Sequence, residues 1–399
     1  MIQSHLFWLI YISGTLIYSD PLIIFYGRFV FETLNPIGYD ASSAGLQYDI
    51  SVSKNNSISF SVNGYSQKCT VLLKHLLEAL AHPNMDSEKF DIFKNSLLRK
   101  YQNASKNTPV QQSYEMLYSK VLSHYSLNSE LASAAQTVTL DELKHFSQTW
   151  YQSRNIEAFV GGNLKSDEAT NALDMVETYL KGTASSKGQV ISAEYVKPSI
   201  LRPSGYSFPL NVSGNAMILS LDVGKKTDIL RCHWSVLQKL LQEPYYTELR
   251  TKQQTGYIVN CSGNQIRKQL FLHYVIQSNQ YDARDLLSRT ELFNETFLRE
   301  FSTNDTRERF EKIRESSIER LKTPFDKFMA KMEFYNLLTF EEDCDYNVLS
   351  RRMDLLKRVQ FDEIEKAAQE IVGMQNTARL AVLSQGSDQE NIQNSYLIK

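Results

Sequence analysis

Lys89-Phe90-Asp91-Ile92-Phe93-Lys94-Asn95-Ser96-Leu97-Leu98-Arg99-Lys100 has the apolar spacing of an amphipathic helix. Arg309-Phe310-Glu311-Lys312-Ile313-Arg314-Glu315-Ser316-Ser317-Ile318-Glu319-Arg320 has the same spacing, displaced by 220 residues. Further on, Val138-Thr139-Leu140-Asp141-Glu142-Leu143 lies over Val359-Gln360-Phe361-Asp362-Glu363-Ile364 at a displacement of 221, each with an acidic first turn ahead of a helical period. Each of these helices leads into a strand, Ile156 to Val160 closing on Gly161-Gly162-Asn163 and Ala378 to Leu383 closing on Ser384-Gln385-Gly386. Upstream, Ile58 to Tyr65 alternates as a half-buried strand before a helix around Leu72 to Leu80. Leu270 to Gln277 does the same before a helix around Leu286 to Phe297. Amphipathic helices coincide easily one at a time; three collinear matches with a slowly drifting displacement do not.

Alternating strands and long amphipathic helices that recur twice in one order predict an α+β fold of two tandem homologous domains, each a mainly antiparallel sheet packed with helices. We expect the first domain at residues 24–182 and the second at 205–388. The linker between them, residues 183–204, contains Gly188, Pro198 and Pro203 in a Ser-rich context, and residues 389–399 form a polar tail. A chain of 399 residues with 42% hydrophobic content is long and apolar enough for two cores.

Forty-three basic side chains balance forty-five acidic ones, so the chain carries no electrostatic footprint for nucleic acid or anionic lipid. Cys69, Cys232, Cys261 and Cys344 are widely spaced with no C-x-x-C pair, and we read them as free thiols. The Asn-x-Ser/Thr triplets at Asn103, Asn211 and Asn294 are too common in an Asn- and Ser-rich chain to decide anything.

The start of the chain is hydrophobic: Leu6 to Ser19 (LFWLIYISGTLIYS) has no charged residue, and apolar character resumes from Pro21 to Tyr26 after Asp20. The run is too short for a spanning helix, which makes membrane anchorage a poor expectation. A signal-like segment normally has a basic n-region, and Met1 to His5 has no Lys or Arg. We therefore set residues 1–23 apart as an apolar leader or a mis-bounded start.

Hydrolytic chemistry needs an activated nucleophile, and no motif for one is present. None of the seven histidines begins H-x-x-E-H or H-E-x-x-H. The nearest approach is His75-Leu76-Leu77-Glu78, where the fifth position is Ala79; helical geometry needs the second His there to join the first on one face. His82 shares that face but precedes Pro83, which suits a helix-end role better than metal ligation. There is no G-x-S-x-G, P-loop or G-x-G-x-x-G. The stretch Glu243-Pro244-Tyr245-Tyr246-Thr247-Glu248-Leu249-Arg250-Thr251-Lys252-Gln253-Gln254-Thr255-Gly256-Tyr257-Ile258-Val259 reads locally as a helix ending near Gln254, with Gly256 as its C′ glycine and Tyr257 opening a strand. Pro244 fits the first turn of a new helix. On this local reading Arg250 is a solvated helix-end cation and Tyr257 an ordinary strand residue.

The same stretch resembles the "EP-x-x-x-x-LRTK-x-Q-x-GY" segment of the pitrilysin/insulysin-type zinc metallopeptidases. Tyr39-Asp40-Ala41 with Ala44-Gly45-Leu46-Gln47-Tyr48-Asp49, Val62-Asn63-Gly64-Tyr65, Ile156-Glu157-Ala158 with Gly162-Asn163, and Ile276-Gln277-Ser278 add to the resemblance, in the order of that family's third and fourth domains, from Phe25 to Gln385. The resemblance implies the C-terminal half of an enzyme built as two halves of two α+β domains each, closing around a chamber, with an inverted zinc motif in the other half. It implies substrate-binding and transition-state roles for Arg250 and Tyr257 and no metal ligand in this chain. Zinc is expected in an N-terminal partner half, from the same gene or an adjacent one, and the chain is inactive as a peptidase without it. The expected partners are that half and a peptide substrate, with neither nucleic acid nor membrane. The alternatives are a non-catalytic structural or peptide-binding subunit, or a decayed remnant. For want of a disulfide framework we expect the cytoplasm, or the periplasm or secretion if the N-terminal run is a signal.

Overall fold

A strand buried on both faces has no polar side to show, and its sequence reads as one apolar run. The computed structural model, which describes residues 5–14, 20–53, 57–184, 203–266, 268–322 and 324–387, contains two such strands at equivalent places. β7, Asn215–Lys225, is buried at eight successive positions. β1, His5–Gly14, lies between β3 (Ser57–Tyr65) and β4 (Ser153–Gly162) and is antiparallel to both. Phe7 faces one side of that sheet and Ile10 and Ile12 the other, all three buried. The expectation that residues 1–23 stand outside the first domain is therefore corrected. The apolar run supplies the central strand, and α1, Asp20–Ser43, begins inside the same stretch. Residues 1–4 and 15–19 lie outside the described residues, as do the middle of the expected linker and the polar tail.

The fold is α+β, and among the described residues the strands form two five-stranded sheets. The first has the order β2 (Leu46–Ser53), β3, β1, β4 and β5 (Thr183–Ala184). The second has the order β8 (Ile258–Ile266), β9 (Gln269–Ser278), β7, β10 (Arg379–Gln385) and β6 (Ser204–Pro209). In each, four antiparallel strands are followed by one short parallel strand at the end, β5 against β4 and β6 against β10. The duplication thus extends to the sheet order, and β1 is the counterpart of β7.

One face of the first sheet packs on α1, α2 (Ser66–Ala81), α3 (Ser87–Asn103), α5 (Asn128–Thr137), α6 (Leu140–Thr149) and α7 (Ser166–Tyr179), around Phe25, Tyr26, Phe60 and Trp150. The matching face of the second packs on α8 (Asp228–Tyr245), α9 (Ala283–Arg299), α10 (Asn304–Lys322), α12 (Val348–Arg358) and α13 (Phe361–Val372). The acidic turns expected at Asp141-Glu142 and Asp362-Glu363 are first turns of α6 and α13, and Thr139 caps α6 by accepting from the Glu142 N–H.

The second face of each sheet is covered differently. α4, Pro109–Val121, lies in the second compact unit, where Leu117 and Val121 pack on Ile218, Val275, Leu380 and Val382. Ser113 donates to Ser384 Oγ at 2.9 Å, and the Val110 N–H donates to Gln277 Oε1. α11, Phe328–Glu341, lies in the first unit, where Met332 packs on Phe7 and Phe159. The two units are therefore not the contiguous stretches 24–182 and 205–388; each takes one helix from the other repeat. An amphipathic stripe specifies that a helix must be buried but not on which sheet.

None of the four cysteines is in a disulfide, and Cys344 alone is exposed. Among the described residues no helix is long and apolar enough to cross a membrane.

His273 of β9 sits beneath α4, stacked on Phe271 with the Tyr114 ring edge-on, and neither ring nitrogen has a hydrogen-bond partner. Burial pushes its pKa down to about 4. The unfolded chain binds this proton below pH ~6.5 and the folded chain does not, so stability is full above that value and falls as pH drops towards about 4. The loss attributable to this group at pH 5 is about 2 kcal/mol. Unfolding free energies from urea titrations at pH 7 and pH 5 should differ by about that much less in His273→Phe than in the natural sequence.

Candidate functional site

The segment that carries Arg250 and Tyr257 begins with a proline inside a helix. α8 does not start near Pro244, as its sequence suggested; it runs from Asp228 through Pro244 to Tyr245. Proline lacks the N–H that would bond the carbonyl of Leu240, four residues back. That carbonyl accepts instead from Arg309 Nη2 at 3.2 Å, and Glu243 holds the same guanidinium nitrogen at 3.0 Å. An external cation thus replaces the missing donor and the helix continues.

Beyond Pro244 the backbone widens into a π-helical turn, Tyr246–Lys252, a form that is rare and clusters at functional sites. Tyr245 and Leu249 are fully buried and anchor its inner face; the Tyr245 ring lies against Tyr274 and Phe293, with its hydroxyl 3.0 Å from Thr290 Oγ1. The turn ends at Gln254, whose φ of 52° places a side chain in the left-handed region. Fully buried Thr255 closes it by donating both its N–H (3.0 Å) and its hydroxyl (2.9 Å) to the Leu249 carbonyl. Gly256 is not the left-handed terminator that the sequence suggested. A Cβ there would stand 2.0 Å from the Gln277 carbonyl oxygen, so glycine is required by the close approach to β9.

This backbone brings the two expected residues together. The Arg250 guanidinium carbon lies 6.0 Å from the centre of the Tyr257 ring, within cation–π reach. Tyr257 is 86% exposed and Arg250 half-buried, and neither side chain has a hydrogen-bond or ion-pair partner among the described residues. Such a pair offers a fixed fork of donors for a carbonyl or carboxylate and a hydroxyl that can donate to an oxyanion.

A polar chain that sequence reasoning did not find supports the turn. Lys252 pairs with Glu248 at 3.1 Å, Gln253 Nε2 donates to Glu248 Oε1 at 3.0 Å, and Arg289 Nη1 donates to Gln253 Oε1 at 2.9 Å. Arg289 is itself held by Asp285 at 2.9 Å and lies over the Tyr281 ring. The Gln253 amide, then Lys252, keep the Glu248 carboxyl below the usual carboxylate range. Beside this chain lies a cleft of about 610 Å³ with Leu292, Phe293 and Phe297 among its lining residues. Only Arg289 being seven residues after Asp282, the cap of α9, hints at it in the sequence.

The other candidates do not assemble. His75 pairs with Glu78 at 3.3 Å on α2, and His82 is the residue that ends that helix. No group of three or more His, Cys, Asp or Glu side chains among the described residues is arranged to hold a metal.

Residues 17–134 match the family described as the middle or third domain of peptidase M16, and residues 236–336 match the C-terminal lobe domain 4 of PQQ synthase PqqF-like proteins. Insulin-degrading enzyme of Drosophila melanogaster is 28% identical over 340 residues, covering 82% of this chain and 34% of that protein. The Homo sapiens insulin-degrading enzyme is 28% identical over 374 residues, covering 90% and 36%. The chain thus spans about a third of the length of these relatives. In structure it matches pitrilysin with a TM-score of 0.82 at 16% identity, over 98% of this chain and 42% of that one. A peptidase M16 inactive domain from Pseudomonas fluorescens matches with a TM-score of 0.73 at 14% identity, over 96% and 92%.

Because Arg309 supplies the donor that Pro244 lacks, Arg309→Met should leave the Leu240 carbonyl unsatisfied and cost about 1–3 kcal/mol. Denaturant midpoints measure this, and in the double variant with Pro244→Ala, which restores the N–H, most of the loss should be recovered.

Proposed function

With the similarity of this chain to the C-terminal half of pitrilysin- and insulysin-type peptidases as premise, we propose that it forms the substrate-binding wall of a peptide-degrading chamber whose zinc site belongs to a partner half. The observation that carries this reading is the Arg250–Tyr257 pair, Tyr257 exposed and Arg250 half-buried, within cation–π reach of each other beside a strained backbone and without a hydrogen-bond or ion-pair partner among the described residues. Arg250 would hold a carbonyl or carboxylate of the peptide through its planar donors. The Tyr257 hydroxyl would donate to the oxyanion that develops on the scissile carbonyl, an interaction stronger in the transition state than in the bound substrate. Zinc in the partner half would supply the activated water. The partners on this reading are the zinc-bearing half and a peptide, with the cytoplasm as compartment.

A second reading is a non-catalytic subunit that binds peptide or only completes an assembly. Its support is the match along almost the whole length of the peptidase M16 inactive domain from Pseudomonas fluorescens.

The chain, mixed with a zinc-bearing N-terminal half from the same source, should cleave a quenched fluorescent peptide that neither cleaves alone. Tyr257→Phe should then lower kcat by roughly 100-fold or more with little change in KM, as loss of one oxyanion donor does. Arg250→Ala should act mainly by raising KM. A complex that forms and leaves the peptide intact favours the second reading.

A further inference from the structure

We propose that Gln254 is a third substrate-binding residue, whose carboxamide pairs with a main-chain peptide unit of the substrate beside Arg250 and Tyr257. The proposal rests on the reading of this segment as substrate-facing, and it adds what the segment recognises: the backbone of an extended peptide, not a particular side chain.

The argument begins with a residue that is wrong for its backbone. Of the described residues with positive φ, all are glycine except Gln254 at 52°, Asp343 at 52° and Cys344 at 64°. Aspartate tolerates this conformation because its short side chain bonds the backbone nearby, and the Asp343 carboxylate is also held by Lys268 at 2.6 Å. Glutamine has neither advantage. Its Cβ meets the same crowding, and its amide stands one carbon too far out for the local turns that aspartate and asparagine close. Glycine would remove the strain, and the equivalent connection of the first repeat has it, Gly45 at a φ of 75°.

No contact within the fold accounts for the glutamine. Its side chain is exposed and has no hydrogen-bond or ion-pair partner among the described residues. The residues on either side of it are both tied down. Gln253 is held between Glu248 and Arg289, and buried Thr255 donates twice to the Leu249 carbonyl. The Gln254 backbone is therefore fixed while its amide is left in solvent, four residues after Arg250 and three before Tyr257. Strain retained at an exposed, unengaged side chain points to a ligand that the side chain meets.

The chemistry of the amide says which part of a peptide that is. Arg250 offers donors alone, whereas every peptide unit other than one at proline presents an N–H as well as a carbonyl. A carboxamide has an acceptor and donors in one plane and can take both groups at once. It is neutral, so it selects neither acidic nor basic side chains. Gln254 thus supplies the acceptor that the arginine lacks and holds main chain whatever the sequence.

Fluorescence anisotropy of a dye-labelled, unstructured peptide with the full chain, alone and with the zinc-bearing half, tests this beside thermal unfolding of the same variants. Gln254→Gly should weaken binding about 10-fold, as loss of two hydrogen bonds does, while unfolding at no lower temperature than the natural sequence. Gln254→Asn, which accepts a positive φ and keeps the carboxamide, should recover part of the loss. Among peptides N-methylated at successive positions, one should bind the natural sequence about 10-fold more weakly and Gln254→Gly no more weakly than its unmethylated parent. Equal binding by Gln254→Gly and the natural sequence, with Arg250→Ala weakened, overturns this proposal and leaves the substrate-facing reading intact. A thermal midpoint that falls together with binding in Gln254→Gly also overturns it, since the glutamine would then serve the fold. No peptide binding by the natural sequence under either condition overturns both.

Discussion

Everything in this fold depends on burying both faces of two central strands. β1 and β7 are apolar on both sides, and each sheet's own layer of helices covers only one side. The second side of each sheet is closed by a single helix from the other repeat, α4 on the second sheet and α11 on the first. Leu117 and Val121 in one case and Met332 in the other do the covering. Without them a row such as Ile218, Val275, Leu380 and Val382 would face water, at roughly 25 cal/mol for each Å² exposed. The duplication is thus more than a repeated pattern, since each copy completes the core of the other.

Most of the element order was legible in the sequence because it rests on periodicity. The strand Ile58 to Tyr65, the paired helices at Lys89 and Arg309 and the strand pair ending at Gly162 and Gln385 all fall within elements of the expected type. β1 was misread for a physical reason. A strand buried on both faces and a secretory apolar segment show the same unbroken hydrophobic run, and only pairing with β3 and β4 separates them. The signal that could have separated them was internal: β7 has the same unbroken character and is the element ahead of α8, as the apolar run is ahead of α1. The exchange of α4 and α11 had no such signal, because both lie in collinear places in the two repeats and an apolar stripe does not name its partner.

The site was legible in a different way. Resemblance singled out Arg250 and Tyr257, and local pattern alone made them ordinary. What pattern could not supply was the geometry between them. Pro244 seemed to begin a helix because the donor that rescues its interior position, Arg309, is far away in sequence. Gly256 seemed to be a helix terminator because a glycine after a helical run usually is one. The left-handed residue is Gln254, and Gly256 is required by a carbonyl on a neighbouring strand, which no local window contains.

The two repeats also show where function parts from the common fold. In the first, α1 passes to β2 through Ala44 and Gly45, with the glycine in the left-handed region at a φ of 75°. In the second, the equivalent passage has a π-helical turn and the longer connection Gln253 to Tyr257, and the left-handed position holds glutamine. A non-glycine side chain there costs about 1–2 kcal/mol, and a π turn gives up regular helical bonding as well. The first repeat shows that the fold can make this connection without either cost. The second incurs both, secures the result with Thr255 and with the Glu248–Gln253–Arg289 chain, and leaves Tyr257 almost wholly in solvent beside Arg250. Strain held in place by dedicated hydrogen bonds, at a connection where the copies diverge, fits the proposed substrate-facing role of this segment better than any need of the fold.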